Sequence, residues 1–301
     1  FLRPLGLRLQ LGAFYPAKIF LETEAVGIKT GWYNSNEFIH NLPKSMGENS
    51  VLIVASHKGN TPETVEAARI GKERGIPVIV LTWIPDSPIT QYADYVIPYT
   101  FGDNKDIAGE KTIKGLLLAV EILNQTEGYP NYEKFMDGVS KINQIVRNAC
   151  RLVQRRAREF ARNYKDDKVI YTIGSGAGFG AAYMECICIF MEMQWINSNA
   201  IHSGEYFHGP FEITDKELPF ILQLSEGKTR ALDERALNFL ERYARRIGKL
   251  APSSSNQDTP YTPFRRSTMA FFIIDWISEG LNSLLFTELA FATQNLPSWG
   301  M

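Results

Sequence analysis

Glu192 and His208 are the residues best suited to acid–base chemistry in this chain of 301 residues. Glu192 lies near the end of the mostly apolar run 181–195, where Glu185 is the only other charge. An apolar setting raises the pKa of a carboxyl, and an unperturbed imidazole titrates near pH ~6.5. The two types suit proton transfer to and from a carbon or an oxygen atom. Glu185 stands seven residues earlier, two helical turns back on a similar face, and is interpreted as a structural or interface carboxylate.

A polar loop with phosphate-binding character follows an apolar run at Val51–Ala55, which predicts a strand buried on both faces. Thr61 is predicted to cap the next helix, and Pro62 fits its first position. Hydroxyls, a lysine and backbone N–H groups at a helix N-terminus suit a phosphate, although an ordinary capped helix start has the same pattern. The candidate ligands are Ser56, His57, Lys58, Asn60 and Thr61.

A glycine-rich loop at 174–180 is the second phosphate candidate, with Gly174 and Ser175 as its expected contacts. A glycine-rich loop alone is weak evidence for a nucleotide. A dinucleotide site would require an acidic residue at the end of the next strand, and Glu192 at about that distance falls inside the predicted helix. Further along, Ser203 and Glu205 are candidate substrate contacts before His208, with helix capping as a second role for Glu205.

The order of predicted elements indicates an α/β protein. Strands at 51–55, 77–82 and 94–98 alternate with helices at 62–74 and 109–125 in the first half. After a long helix at 139–163, the pattern restarts with strands at 168–173, 200–201 and 219–224 and helices at 181–195 and 229–246. Such alternation predicts parallel sheets, with ligands outside the carboxyl ends of the strands. The two similar arrays suggest an internal duplication, with domains at 1–150 and 151–301.

Composition argues against several function classes. A net charge of -1 gives no electrostatic basis for binding nucleic acid or a membrane surface. No uncharged apolar segment reaches the roughly 18 residues of a membrane span, and the first residues do not resemble a signal peptide. The 4 His and 3 Cys form no metal pattern, so we expect no metal site. Cys186 and Cys188 are expected to be buried thiols in a reducing cytoplasm.

Three longer stretches of the sequence are more specific than the glycine-rich loop. They are Ala55-Ser56-His57-Lys58-Gly59-Asn60-Thr61-Pro62-Glu63-Thr64, Phe101-Gly102-Asp103 with Asp106-Ile107-Ala108-Gly109-Glu110-Lys111-Thr112, and His202-Ser203-Gly204-Glu205-Tyr206-Phe207-His208-Gly209-Pro210-Phe211-Glu212. These stretches resemble the SIS-domain family of fructosamine 6-phosphate deglycases. The similarity covers roughly residues 14–246.

The resemblance implies two tandem SIS-type, flavodoxin-like parallel-sheet sandwiches and a cofactor-independent deglycase. The expected substrate is a 6-phosphorylated fructose–amino acid, with the aspartate conjugate as first choice, which is cleaved to glucose 6-phosphate and the free amino acid. Glu192 and His208 stand at the positions of the family's catalytic carboxylate and imidazole, sixteen residues apart. A homodimer with shared active sites is implied. The roles of Glu110, Lys111 and His202 stay open.

Two other functions are considered beside the deglycase. A phosphosugar aldose–ketose isomerase, or the isomerase domain of a glucosamine-6-phosphate synthase, would use similar enediol chemistry. A phosphosugar sensor without catalysis would keep the binding loop, but the presence of both Glu192 and His208 argues against it. Both ends depart from the family pattern: 9–13 lacks the serine of the first family strand, and after 246 no final strand is expected.

Overall fold

The computed structural model describes residues 5–7, 12–101 and 106–250. The expectations for residues 9–11, for Gly102 and Asp103, and for residues 251–301 lie outside this range. The chain divides into two compact units between Asn143 and Gln144. The sequence predicted the boundary at 150, further along the same long helix. Because that helix runs through both positions, no break in local structure marks the change of unit.

The first unit contains a five-stranded parallel sheet in the order β2-β1-β3-β4-β5. This is the strand order of flavodoxin-like folds, and it confirms the predicted parallel α/β class. Its strands are β1 (Leu5–Leu7), β2 (Thr30–Trp32), β3 (Val51–Ala55), β4 (Val78–Thr82) and β5 (Tyr95–Pro98).

The helices of the first unit pack through small and apolar side chains. They are α1 (Tyr15–Glu24), α2 (Ser35–His40), α3 (Pro62–Glu73), α4 (Lys111–Thr126) and the first part of α5 (Tyr132–Tyr164). Helix α5 begins earlier than predicted, because Phe135 in its first turn is buried against Phe20 with ring centroids 6.1 Å apart. A Cβ on Gly71 of α3 would lie 2.7 Å from Leu52, so glycine allows this helix to approach β3 closely.

The second unit contains a four-stranded parallel sheet in the order β7-β6-β8-β9. This order repeats the arrangement of the first four strands of the other unit. The strands are β6 (Val169–Gly174), β7 (Asn197–His202), β8 (Phe220–Gln223) and β9 (Ile247–Leu250). The helices are the second part of α5, α6 (Gly178–Met184), a π-helix (Glu185–Met193) and α7 (Arg230–Tyr243).

The prediction that no strand follows α7 was wrong. Strand β9 pairs in parallel with β8, with Ile247 opposite Phe220. The guanidinium of Arg246 fixes the start of the strand, since it donates two hydrogen bonds of 2.6 Å to Asp167 and one of 2.8 Å to Glu217 O. At the other end of the chain, β1 lies between β2 and β3, so the first strand is present as well.

The helix predicted at 181–195 also differs from expectation. It starts at Gly178, inside the glycine-rich segment, and changes to π-helical hydrogen bonding at Glu185. At its end, Gln194 N donates to Ile189 O five residues back, and Trp195 takes a φ of 58°. A positive φ is unusual for a bulky residue, so this backbone reversal marks the end of the helix. No helix in the described ranges is long and apolar enough to cross a membrane.

We expect Leu52→Ala to destabilise the protein by about 2–5 kcal/mol, because this side chain is fully buried between β3 and α3 and its removal leaves a cavity. Val26→Ala is the control, since Val26 is 85% exposed and should change stability little. Urea unfolding followed by circular dichroism measures both values. Equal losses for the two variants would contradict the described core.

Candidate functional site

The Ser56–Thr61 loop joins β3 to α3 at the carboxyl edge of the first sheet. The hydroxyl groups of Ser56 and Thr61 lie 3.0 Å apart, which closes the loop. Gly59 has a φ of 66°, and a Cβ there would lie 2.0 Å from Ser87 Oγ. Glycine is therefore required by both backbone geometry and space. Thr61 is the N-cap residue, as predicted, but its side chain does not cap the helix.

This loop has the features of an anion site. The first turn of α3 directs its positive dipole end and backbone N–H groups toward the loop. Two hydroxyl groups stand beside it, with Ser56 buried. The side chains of Lys58 and Asn60 are exposed next to them. The structure thus brings four of the predicted phosphate ligands together in one segment.

The fifth predicted ligand, His57, directs its ring into an aromatic cluster. Its imidazole stacks on Trp83 with centroids 5.1 Å apart, and the edge of Phe101 meets it at 4.4 Å. His57 Nδ1 lies 2.9 Å from the hydroxyl of Tyr99. Burial lowers the pKa of His57 from its ordinary value of 6.5, and the ammonium groups of Lys111 and Lys58 lower it further. The imidazole is therefore mainly neutral at pH 7.

Glu110 and Lys111 precede and begin α4 beside this cluster. The Nζ of Lys111 lies 5.9 Å from the ring centroid of Tyr99. Burial raises the pKa of Glu110 to about 7, with the Asp106 carboxylate adding to the effect and Lys111 opposing it. A carboxyl with this pKa changes charge near neutral pH, which is a property of groups at functional sites.

In the second unit, a turn-rich segment after β7 presents His208. Tyr206 anchors the segment, because its ring is fully buried and its hydroxyl lies 2.5 Å from Thr214 Oγ1. His208 N donates to Glu205 O at 2.9 Å, and both side chains are exposed. The neighbouring His202 accepts a hydrogen bond at Nδ1 from Gly204 N at 3.1 Å. The fixed backbone thus holds an imidazole at the surface of this unit.

Two carboxylates of the π-helix have opposite surroundings. Glu192 is exposed, so the apolar setting expected for it was wrong. Glu185 is 0% exposed and accepts a hydrogen bond of 3.3 Å from Gln223 Nε2. Burial raises the pKa of Glu185 to about 8. Glu185 thus has a structural position inside the second unit, and Glu192 is accessible to a ligand.

A buried carboxylate also lies at the carboxyl edge of the second sheet. Asp233 of α7 is 0% exposed and accepts hydrogen bonds from Ser203 Oγ at 2.6 Å and Ser225 N at 2.7 Å. Burial raises its pKa, and the hydroxyls of Ser175 and Ser203 oppose the shift. Ser175 Oγ donates to Thr229 O at 3.3 Å. The substrate contacts predicted for Gly174, Ser175 and Ser203 stay predictions. The hydroxyls of Ser175 and Ser203 both donate to protein acceptors.

Sequence reasoning missed two functional candidates. Trp83 directly follows β4 at the sheet edge, so the argument that selected Ser56 after β3 would have found it. Asp233 shares a helix face with Ala236 and Leu240, both fully buried, and this spacing indicates a carboxylate that faces the core. Among the residues that the structure describes, no group of three His, Cys, Asp or Glu side chains could hold a metal ion.

The fold and loop define a class of protein. Residues 31–123 match the model of the SIS domain, which spans β3, the Ser56–Thr61 loop and the aromatic cluster. A solved structure from Salmonella typhimurium, described as a proposed phosphosugar isomerase, has a TM-score of 0.89. It is 42% identical, and the match covers 97% of this chain and 87% of that chain.

Two curated bacterial enzymes are similar in sequence. Fructosamine deglycase FrlB of Bacillus subtilis (strain 168) is 40% identical over 242 residues, which are 80% of this chain and 73% of that protein. Fructoselysine 6-phosphate deglycase of Escherichia coli (strain K12) is 29% identical over 216 residues, 70% of this chain and 60% of that protein. The chain belongs to the SIS-domain fructosamine deglycase family, a family of enzymes, as its motifs predicted.

We expect Glu185→Gln to flatten the pH dependence of stability between pH 4.5 and about 8. Burial raises the pKa of Glu185 from 4.5 to about 8, so in this window the folded protein holds a proton that the unfolded chain releases. The neutral carboxyl of Glu185 therefore contributes its full stabilisation below pH 4.5, the pKa in the unfolded chain. This contribution is lost as the pH rises to about 8, the pKa in the folded protein. The variant should remove a slope of up to ~1.4 kcal/mol per pH unit from the free energy of unfolding.

Urea unfolding of both proteins at several pH values across the window measures this slope. Glutamine keeps the shape of the side chain and its contact with Gln223, so both proteins should remain folded. An unchanged slope would mean that Glu185 does not hold its proton in the folded state.

Proposed function

We propose that this chain is a deglycase that cleaves a 6-phosphorylated fructose–amino acid, with fructose-aspartate 6-phosphate as the first candidate. Water is consumed, and glucose 6-phosphate and the free amino acid are released. The observation that carries the proposal is the 40% identity to fructosamine deglycase FrlB. The Ser56–Thr61 loop, with its helix N-terminus and exposed lysine, supports the phosphorylated end of this substrate.

The chemistry begins with opening of the sugar ring, which exposes the C2 carbonyl. A base then removes a proton from C1, next to the amino acid nitrogen, and an enaminol forms. A proton is returned at C2, which leaves an imine between C1 and the nitrogen. Water hydrolyses the imine, so the C–N bond breaks and the amine leaves as the free amino acid. Every step is a proton transfer or an addition of water, which side-chain acids and bases can perform.

Glu192 and His208 are the side chains to which we assign these proton transfers. Glu192 would move the proton between C1 and C2, and His208 would serve the ring oxygen. Their exposure supports the assignment, because a substrate from solution can reach both. The exposure of His208 also agrees with the expected homodimer, in which a histidine from one subunit completes the active site of its partner. We place the enzyme in the cytoplasm.

The second unit is proposed to be another SIS-type domain. The strand order of its sheet, β7-β6-β8-β9, is the same as that of the first four strands of the first unit, β2-β1-β3-β4. This similarity supports a duplication. Its glycine-rich segment occupies the place after β6 where a ligand-binding loop would lie. Glu205 is proposed to contact the substrate near His208, because its side chain is exposed in the same turn.

Glu192→Gln and His208→Asn are each expected to lower kcat by about 100- to 10,000-fold, as loss of a general acid or base does. A coupled assay of glucose 6-phosphate release from fructose-aspartate 6-phosphate measures this. Fructose-lysine 6-phosphate and fructose 6-phosphate are tested in parallel, since turnover of fructose 6-phosphate alone would indicate an isomerase.

The matched controls are Glu241→Gln and His40→Asn, which replace an exposed carboxylate on α7 and an exposed imidazole on α2. Both should keep turnover close to that of the unchanged enzyme. Near-normal turnover by Glu192→Gln or His208→Asn would contradict the assigned roles.

Ser56→Ala and Thr61→Val should weaken substrate binding while leaving the chemical step intact. A hydrogen bond to a charged group contributes ~1.5–3 kcal/mol, so KM should rise by roughly 10- to 100-fold for each variant. Ser45→Ala removes an exposed hydroxyl elsewhere in the same unit and serves as the control. Calorimetric titration with glucose 6-phosphate measures the affinity independently. If both variants bound glucose 6-phosphate normally, the loop would not be the phosphate site.

A further inference from the structure

An open aromatic surface lies beside the phosphate loop and has no part in the chemistry described above. It consists of Trp83, Phe101 and the ring of His57, and we call it the aromatic platform. Trp83 is 41% exposed and Phe101 is 61% exposed, and their ring centroids lie 5.7 Å apart. Single exposed apolar side chains are common, but these rings are contiguous and line the edge of the sheet where ligands bind.

The platform is held at a fixed place relative to the phosphate loop. Trp83 N donates to His57 O at 3.1 Å, and Ser56 N donates to Leu81 O at 3.2 Å. His57 is also held by its contact with the Tyr99 hydroxyl at 2.9 Å. The phosphate loop and the platform are therefore held side by side at the same edge of the sheet.

The charge beside the platform favours a carboxylate. The ammonium group of Lys111 acts on the imidazole of His57, and its Nζ lies 5.9 Å from the ring centroid of Tyr99, whose hydroxyl contacts His57. Lys58 also acts on the imidazole, but it belongs to the phosphate loop. Asp106 and Glu110 are acidic groups of the same region, and burial raises the pKa of Glu110 to about 7. The flat rings suit methylene groups, and an ammonium group suits a carboxylate of an amino acid.

We propose that the aromatic platform, with Lys111, is the subsite for the amino acid part of the substrate and selects an acidic side chain. This inference rests on the proposed function. In it, Trp83 packs against the side-chain methylene of the conjugated amino acid, and the ammonium group of Lys111 attracts its carboxylates. Trp83 is thereby a specificity-determining residue of the deglycase, and His57 supports the ring of Trp83.

The test compares two substrates that differ only in the amino acid side chain, fructose-aspartate 6-phosphate and fructose-glycine 6-phosphate. The unchanged enzyme should prefer the aspartate conjugate in kcat/KM. Trp83→Ala should reduce this preference about tenfold, and Trp83→Phe should restore most of it. Inhibition by glucose 6-phosphate, which carries no amino acid, should stay the same in all three proteins.

Tyr95→Ala is the matched control, because Tyr95 is an aromatic residue of β5 that is 65% exposed and lies outside the platform. It should keep the preference of the unchanged enzyme. Equal losses on both conjugates in Trp83→Ala, or an unchanged preference, would overturn the subsite.

Failure of the proposed function has a different signature. The unchanged enzyme would then release no glucose 6-phosphate from either conjugate. Calorimetric binding of both conjugates to the unchanged protein and to Trp83→Ala tests the subsite in that case too. A weaker affinity of the variant for the aspartate conjugate alone would support the subsite, and equal affinities in both proteins would overturn it.

Discussion

The pairing of β3 with β4 continues past the ends of both strands, and the candidate site of the first unit depends on this continuation. Ser56 N bonds to Leu81 O, and Trp83 N bonds to His57 O. These two bonds belong to the backbone, so they do not depend on which side chains follow the strands. They hold a loop that suits an anion beside rings that suit an apolar group. A ligand with a phosphate at one end and an organic group at the other matches this arrangement.

The second unit uses the same topology differently. Its sheet has the same initial strand order, and serine residues again follow the strands. Here, however, the carboxylate of Asp233 takes the Ser203 hydroxyl and the Ser225 N–H as its donors. These are the donor types that a phosphate would use, and a second anion beside Asp233 would be repelled. Asp233 thus takes, in the second unit, the place that we propose for the phosphate of the substrate in the first.

The sequence allowed prediction where local signals and tertiary structure agree. The apolar runs of β3 and β4, Pro62 at the start of α3 and Gly75 after its end are such places. Strand β9 was missed because Ile247-Gly248-Lys249-Leu250 alternates weakly, and its pairing depends on the contact of Arg246 with Asp167, distant in sequence. The candidate loop ligands were chosen from residue types, but the ring of His57 could be placed only once β4 and β5 were beside it.

The carboxylates of the π-helix show why spacing alone misled the interpretation. Seven residues make about two turns of an α-helix, so Glu185 and Glu192 would share a face. In a π-helix each hydrogen bond spans five residues, and every turn takes more residues than an α-helical turn. Seven residues then fall short of two turns, and the side chains leave the helix in different directions. Glu185 consequently lies in the core, where its proton is retained, while Glu192 faces solvent, where a substrate can meet it.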